Sequence, residues 1–232
     1  ATLARDLEYM THKGYKVAIC EQVEDPKLAK GLVKREVIRI VSRGTNLDTS
    51  TLDEKNNNFI AAIDKINDGF AFAYVDLSTG DAYVTELPKY LDSLYNEINK
   101  LQIKEVILTN SVPKIVKEYL VNVLHILVST PEAIELDNYM SDLFQTAKTE
   151  LHKCCSELLK YLLNTQKRAL IHLKNFKTYD VNEYLKLDYN TIRNLELINP
   201  IRGNDNKKSL FGVLDCCATA MGSRYLKRSI MY

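Results

Sequence analysis

Between Ile19 and Thr45 the sequence reads ICEQVEDPKLAKGLVKREVIRIVSRGT, with carboxylates at Glu21, Glu24 and Asp25, then a proline, then Lys34, Arg35, Arg39 and Arg43. Acids this close could share a metal ion or a proton, and bases at such spacing could grip phosphates. Asp25 before Pro26, however, reads as a helix cap with proline at the first helical position. Glu24 is then a first-turn neighbour favoured by the helix dipole, and PKLAK is a brief helix ended by Gly31. The bases remain. REVIRIVSR (35–43) alternates as a strand, so Arg39 and Arg43 project from one face, with Lys34 and Arg35 just ahead. The pattern fits a strip of phosphate contacts and equally an ordinary solvated strand face.

Other reactive side chains give less. His152 and Cys155 share a helix face, but a soft metal would need two more ligands and the other histidines are isolated. An edge histidine above a core cysteine is the expected arrangement. Five cysteines, four of them in the adjacent pairs Cys154-Cys155 and Cys216-Cys217, show no CxxC spacing. They read as small buried hydrophobes in a reducing compartment. No nucleophile sits in an elbow-like context, and GNDNKKS (203–209) lacks the second glycine and the preceding strand of a phosphate loop. No catalytic residue, metal ligand or cofactor-binding residue is assigned.

The elements that would position these groups are legible in the periodicity. Leu3, Leu7 and Met10 recur at helical spacing, with Thr2 as a cap and Gly14 at the far end; YKVAIC (15–20) is a short strand. TNLDTSTLDEKNNN, from Thr45 to Asn58, is polar and aperiodic. FIAAIDKI (59–66), GFAFAYVDL (69–77) and GDAYVTEL (80–87) are strands joined by the hairpin sequences Asn67-Asp68-Gly69 and Ser78-Thr79-Gly80-Asp81. A helical stripe from Leu91 to Leu101, the strand KEVILTN (104–110), a helix from Ser111 and Pro113 to Leu120 and the strand NVLHILV (122–128) follow. One long helix then carries Leu143, Ala147, Leu151, Cys154, Leu158 and Leu162 on one face. Beyond Thr165 the chain is basic and irregular; Asp188 caps YNTIRNLEL, and 209–232 is helical again.

The order βββ-α-β-α-β-α is that of an RNase H-like α/β fold: a mixed five-stranded sheet with helices on its faces. Enzymes of this plan can hold two metal ions with carboxylates on the first and fourth strands. Here the candidates are Asp64, Asp76, Asp81 and, on the fourth strand, only Glu105. A two-metal site needs several convergent acids. Scattered ones are better read as turn caps, so a nuclease is the alternative rather than the expectation.

With 232 residues, 46% hydrophobic and 26% charged, the chain has material for two domains, or for one flanked by pieces of others. No apolar run approaches the roughly 18–20 residues of a membrane span and no leader opens the chain, so a cytoplasmic location without membrane contact is expected. The net charge of +1 conceals a partition. Residues 1–45 hold nine Lys/Arg against six Asp/Glu, 46–185 hold 14 against 20, and 186–232 hold eight against four. Only the ends are suited to a polyanion. The opening Ala-Thr-Leu and a close in helix-like sequence lead us to expect a piece of a longer protein.

Several long blocks resemble, in order, the MutS family of DNA mismatch repair. GYKVAICEQVEDPKLAKGLVKREVIRIVSRGT resembles the end of the mismatch-recognition domain; LDEKNNNFIAAI and GFAFAYVDLSTGDAYVTEL resemble the start of the connector; LDYNTIRNLELI and SLFGVLDCCATAMGSRYLKRSI resemble the first segments of the core or lever domain. The resemblance is weakest over about 88–150. It departs at Arg43-Gly44, where the family usually has proline before the glycine, and at Ser229, where tryptophan is common. It implies residues 1–45 as the end of the recognition domain, a linker at 46–58, an RNase H-like connector at 59–165, a linker at 166–187 and the start of the helical core at 188–232. It further implies a parent homodimer that binds mismatched double-stranded DNA and uses ATP and Mg to signal to MutL. The Phe-x-Glu wedge and the ATPase would lie outside this stretch, so no enzyme activity and no cofactor are expected of the fragment itself. The bases Lys34, Arg35, Arg39 and Arg43 become candidates for DNA-backbone contact.

Overall fold

The computed structural model describes residues 2–24, 31–45, 57–131, 133–167, 170–182, 187–202 and 206–231. The expected Asp25 cap and PKLAK helix, the cap at Thr2 and most of the polar 45–58 stretch lie outside what is described.

At the N-terminus α1 (Thr2–His12) ends where Gly14 takes φ 86°, as a helix stop favouring glycine should. Strands β1 (Val17–Gln22) and β2 (Arg35–Val41) pair antiparallel, from Val17 opposite Val41 to Gln22 opposite Arg35, with a shift in register between Ile19 and Cys20.

Strands β3 (Phe59–Ile66), β4 (Gly69–Asp76) and β5 (Asp81–Pro88) form an antiparallel meander. Its first turn is Asn67-Asp68. At the second, Gly80 has φ 73°, and a Cβ there would lie 2.1 Å from the His172 carbonyl oxygen, so the turn admits only glycine. After α2 (Leu91–Lys100), β6 (Glu105–Leu108) lies parallel to β3; after α3 (Lys114–Asn122), β7 (Leu127–Ser129) lies parallel to β6. The five expected strands thus stand in the RNase H-like order β5-β4-β3-β6-β7. A sixth, β8 (Lys177–Thr178), joins the far edge parallel to β5. Within the stretch expected as a linker after residue 165, Lys177 and Thr178 thus join the sheet, and Leu170, Leu173 and Phe176 are buried in the core.

The pleat sorts the core into two layers. Ile60, Ala62, Ala71, Ala73, Ala82 and Val84 face α5 (Thr149–Gln166), while Phe70, Phe72, Tyr74, Tyr83 and Leu87 face α2 and α3. Alanines on the α5 side let that helix come close: the Cys154 thiol donates to the Ala62 carbonyl at 3.2 Å. Burial pushes the Cys154 and Cys155 thiols well above the ordinary cysteine range, so both are inert packing groups. Cys20 and Cys216 are exposed, contrary to the expectation of buried cysteines; Cys20 lies on β1, most of which is exposed, and Cys216 lies outside any helix or strand.

Three further elements differ from expectation. The fifth strand is shorter, because His125 takes φ 52° and interrupts NVLHILV before Leu127. Leu143 and Ala147 lie ahead of α5, on a turn that follows the short α4 (Asn138–Asp142). Past α6 (Tyr189–Asn194), capped by Asp188 accepting from the Thr191 amide at 2.6 Å, the last stretch divides into α7 (Leu210–Leu214) and α8 (Ala220–Met231).

Candidate functional site

The four candidate bases lie at two levels of the β1–β2 hairpin. Lys34 and Arg35 are exposed at its outer end. The Lys34 ammonium is 2.6 Å from Glu36, whose hydrogen bond and charge raise its pKa. Arg39 is half-buried and donates from Nη2 to the Thr45 carbonyl at 2.9 Å. Arg43 lies past the end of β2, and its Nη1 donates to the His125 carbonyl at 3.4 Å. Because the strand stops at Val41, Arg39 and Arg43 are not neighbours on one strand face; both meet groups at the inner end of the hairpin, where it meets the large sheet.

That meeting place is a buried polar seam built on Glu105. This residue opens β6 and has no exposed surface. Its Oε2 accepts from the Ser42 hydroxyl and, at 3.3 Å, from the Gly44 amide. Its Oε1 accepts from Ser129 Oγ at 2.6 Å and from the Tyr161 hydroxyl. An unpartnered carboxylate here would be very costly, whereas four donors from the turn after β2, from β7 and from α5 satisfy it. Thr45 Oγ1 holds the Ser42 amide at 2.9 Å, and Asn58 Nδ2 donates to the Gly44 carbonyl at 3.2 Å. A Cβ at Gly44 would lie 2.8 Å from that of Glu105, so the Arg43-Gly44 step depends on glycine for close approach. Burial, then the adjacent Glu105 charge, drives the Tyr161 pKa upward, which keeps the phenol protonated as a donor. Lys16 lies 4.9 Å over the same ring and adds a second tie between the hairpin and α5.

The remaining acids are dispersed. Glu105 pairs with Ile60 near the start of β3, and Asp64 sits four residues further on, about 13 Å along the strand. Asp64 accepts from Thr109 Oγ1, Ser111 Oγ and, at 2.9 Å, the Lys153 ammonium. Burial opposes its charge, but those two hydroxyls and Lys153 outweigh burial and hold the carboxyl below its usual range. Asp76 binds the Ser78 amide at 2.8 Å and Asn57 Nδ2 at 2.7 Å, and Asp81 meets Lys174 at 3.0 Å. Among the described residues no three His, Cys, Asp or Glu side chains gather to hold a metal ion. His152 Nε2 shares a hydrogen bond with the Ala147 carbonyl at 2.9 Å and its ring meets Phe144 edge-on, a structural role in the first turn of α5. The geometry gives the nuclease alternative no support. Sequence reasoning missed Ser42, Ser129 and Tyr161; the available signal was a lone carboxylate heading the apolar run EVIL.

Comparison with known proteins gives three family matches in order along the chain. The family model described as MutS domain II matches residues 58–177, that of MutS domain I matches 2–50 and that of MutS domain III matches 190–232. The DNA mismatch repair protein MutS of Lysinibacillus sphaericus (strain C3-41) is 40% identical over 223 residues, 96% of this chain and 26% of that protein. Those of Geobacillus sp. (strain WCH70) and Bacillus cereus (strain ATCC 14579) are 39% and 38% identical over 224 residues, again 96% of this chain, and 26% and 25% of their own lengths. The chain thus spans about a quarter of the length of these relatives. Matched over more than half its residues by MutS domain II, with domains I and III in order on either side, the chain belongs to the MutS family.

Proposed function

We propose that this chain works in DNA mismatch repair as the joint between a DNA-binding unit and the core of a MutS protein. The observation that carries this reading is the Glu105 seam, which fastens the basic hairpin to the connector sheet through Ser42 and Gly44 on one side and Ser129 and Tyr161 on the other. A hairpin held at a fixed angle can transmit its engagement with DNA as a displacement of the sheet. Lys34 and Arg35 at the outer end would touch phosphates directly, and Arg39 and Arg43 would add positive potential while bracing the inner end. No Phe-x-Glu occurs in these 232 residues, so the binding expected of them is to backbone rather than to a mismatch. ATP and Mg use, homodimer formation and signalling to MutL belong to the same reading; the acid-rich 46–185 segment suits a protein partner better than DNA. No described helix is long and apolar enough to cross a membrane, in keeping with the cytoplasmic location we propose.

Fluorescence anisotropy with matched and mismatched duplexes tests the reading. Weak binding that falls steeply with salt and does not discriminate the mismatch is expected. The double variant Lys34→Glu/Arg35→Glu should weaken it at least ten-fold at low salt. Indifference to that double variant would remove the hairpin from the DNA side, and a clear mismatch preference would refute backbone-only contact.

A further inference from the structure

We propose that Arg43 and Lys104 hold a phosphate group between them, so that a DNA backbone engaged by the hairpin is clamped to the connector sheet as well. The site rests on the reading of the hairpin as the DNA-facing part, and it brings the connector itself onto the phosphates. Arg43 follows β2, and Lys104 precedes β6, its amide donating to the Phe59 carbonyl at 3.2 Å. The two residues flank the close approach of hairpin and sheet, where a Cβ at Gly44 would lie 2.8 Å from that of Glu105. Both are half-buried.

Other cations of the molecule are answered by acids: Lys34 meets Glu36 at 2.6 Å, Lys153 meets Asp64 at 2.9 Å and Lys174 meets Asp81 at 3.0 Å. Among the described residues neither Arg43 nor Lys104 forms an ion pair. Arg43 donates to the His125 carbonyl at 3.4 Å, a long contact with a dipole that does not neutralise a guanidinium. Glu105, the acid next in the chain, has no exposed surface and spends its two oxygens on Ser42, Gly44, Ser129 and Tyr161. Burial, then the nearby Arg43 charge, lowers the Lys104 pKa. An anion seated between the two cations would offset both penalties. An arginine fork beside a lysine point charge suits the oxygens of a phosphate.

The source of that phosphate follows from where the pair lies. Arg35 and Arg43 stand at opposite ends of the same strand, about 26 Å apart at most for eight residues of extended chain. One duplex, whose turn is about 34 Å, can reach both. A phosphate held from both sides would fasten hairpin to sheet only while DNA is bound, beside the permanent fastening at Glu105. Its direct effect falls on amides flanking the strands, those of Gly44, Lys104 and His125, and leaves the interior of β6 and β7 to the seam.

NMR titration of the 232-residue chain with duplex DNA and, separately, with inorganic pyrophosphate tests the site. The amides of Gly44, Lys104 and His125 should shift with either probe, and those around Lys34 and Arg35 with the duplex. Arg43→Gln and Lys104→Gln should each weaken duplex binding about three- to ten-fold at low salt and flatten the slope of log affinity against log salt by about one. Because both cations serve one phosphate, the double variant should bind little more weakly than either single variant. Lys104→Gln removes one of two repelling charges and should not lower the thermal midpoint, so its loss is one of binding rather than folding. Duplex affinity unchanged in both single variants overturns the proposal. So does duplex binding that shifts the Lys34 and Arg35 amides without moving Gly44, Lys104 or His125; either result leaves the hairpin reading standing. Shifts with pyrophosphate and none with the duplex would keep the phosphate site, with a free anion as its ligand, and remove the DNA reading instead.

Discussion

At position 105 a carboxylate without exposed surface is tolerated because four donors surround it, so substitution there separates charge from shape. Glutamine keeps the outline but turns an NH2 toward one donor pair. The Gly44 amide, which cannot reverse its role, keeps the oxygen, so the NH2 faces the Ser129 and Tyr161 hydroxyls, which must turn from donating to accepting; with the charge lost as well, this costs about 1–3 kcal/mol. Alanine removes the acceptor from all four donors and should cost about 3–5 kcal/mol. Urea unfolding should rank wild type above Glu105→Gln above Glu105→Ala, and equal stability of all three would show that the seam contributes nothing. Asp64 supplies the acid-range counterpart. Its folded pKa lies below the unfolded value, so its contribution is complete above about pH 4 and is lost as pH falls through the folded pKa. Asp64→Asn should therefore lower stability near neutrality and flatten the acid limb of the stability–pH curve; a parallel offset at every pH would contradict this. The sequence displays both acids but hides their roles, because the partners of Glu105 come from 63 residues earlier and from 24 and 56 residues later. Periodicity reports the face a residue occupies and says nothing of what the fold brings to it.

Elements with their own punctuation were the legible ones. Asn67-Asp68-Gly69 and the Ser78–Asp81 turn set the β3–β5 meander, and Asp188 capped α6 as its position before a helical run required. What escaped was whatever depended on a distant partner. Lys177 and Thr178 become a strand because the edge of β5 is open to them, and HILV yields part of its length because α3 ends by turning through His125 in a left-handed conformation. Alternation puts Arg39 and Arg43 on one strand face, but β2 ends at Val41 and both arginines turn to backbone carbonyls. Packing between elements gives the prediction at this scale. Ala62, Ala71 and Ala73 form a shallow floor beneath α5, and the Cys154 thiol sits within reach of two backbone carbonyls of that floor. Ala73→Leu would lift the helix and should cost about 1–3 kcal/mol in a denaturant titration. Leucine accommodated without loss would mean that α5 is less closely seated than its contacts indicate.

For the molecule as a whole, the basic–acidic–basic partition and the seam bear on one question: whether an event at the hairpin reaches the sheet. One route between them is the buried Glu105 network, which ties Ser42 and Gly44 to β6, β7 and α5. A satisfied polar network has few alternative arrangements and passes a shift to each of its members. Hydrogen exchange on the 232-residue chain, with and without duplex DNA at low salt, tests this route. DNA should slow exchange at the outer hairpin around Lys34 and Arg35 and should also alter amides of β6 and β7. In Glu105→Gln the hairpin should still be protected on binding, because Lys34 and Arg35, the proposed phosphate contacts at its outer end, are unchanged, while the response in β6 and β7 should shrink or vanish. If that distal response survives intact in the variant, the joint acts through some other contact, and the seam is a structural fastening without a role in relay.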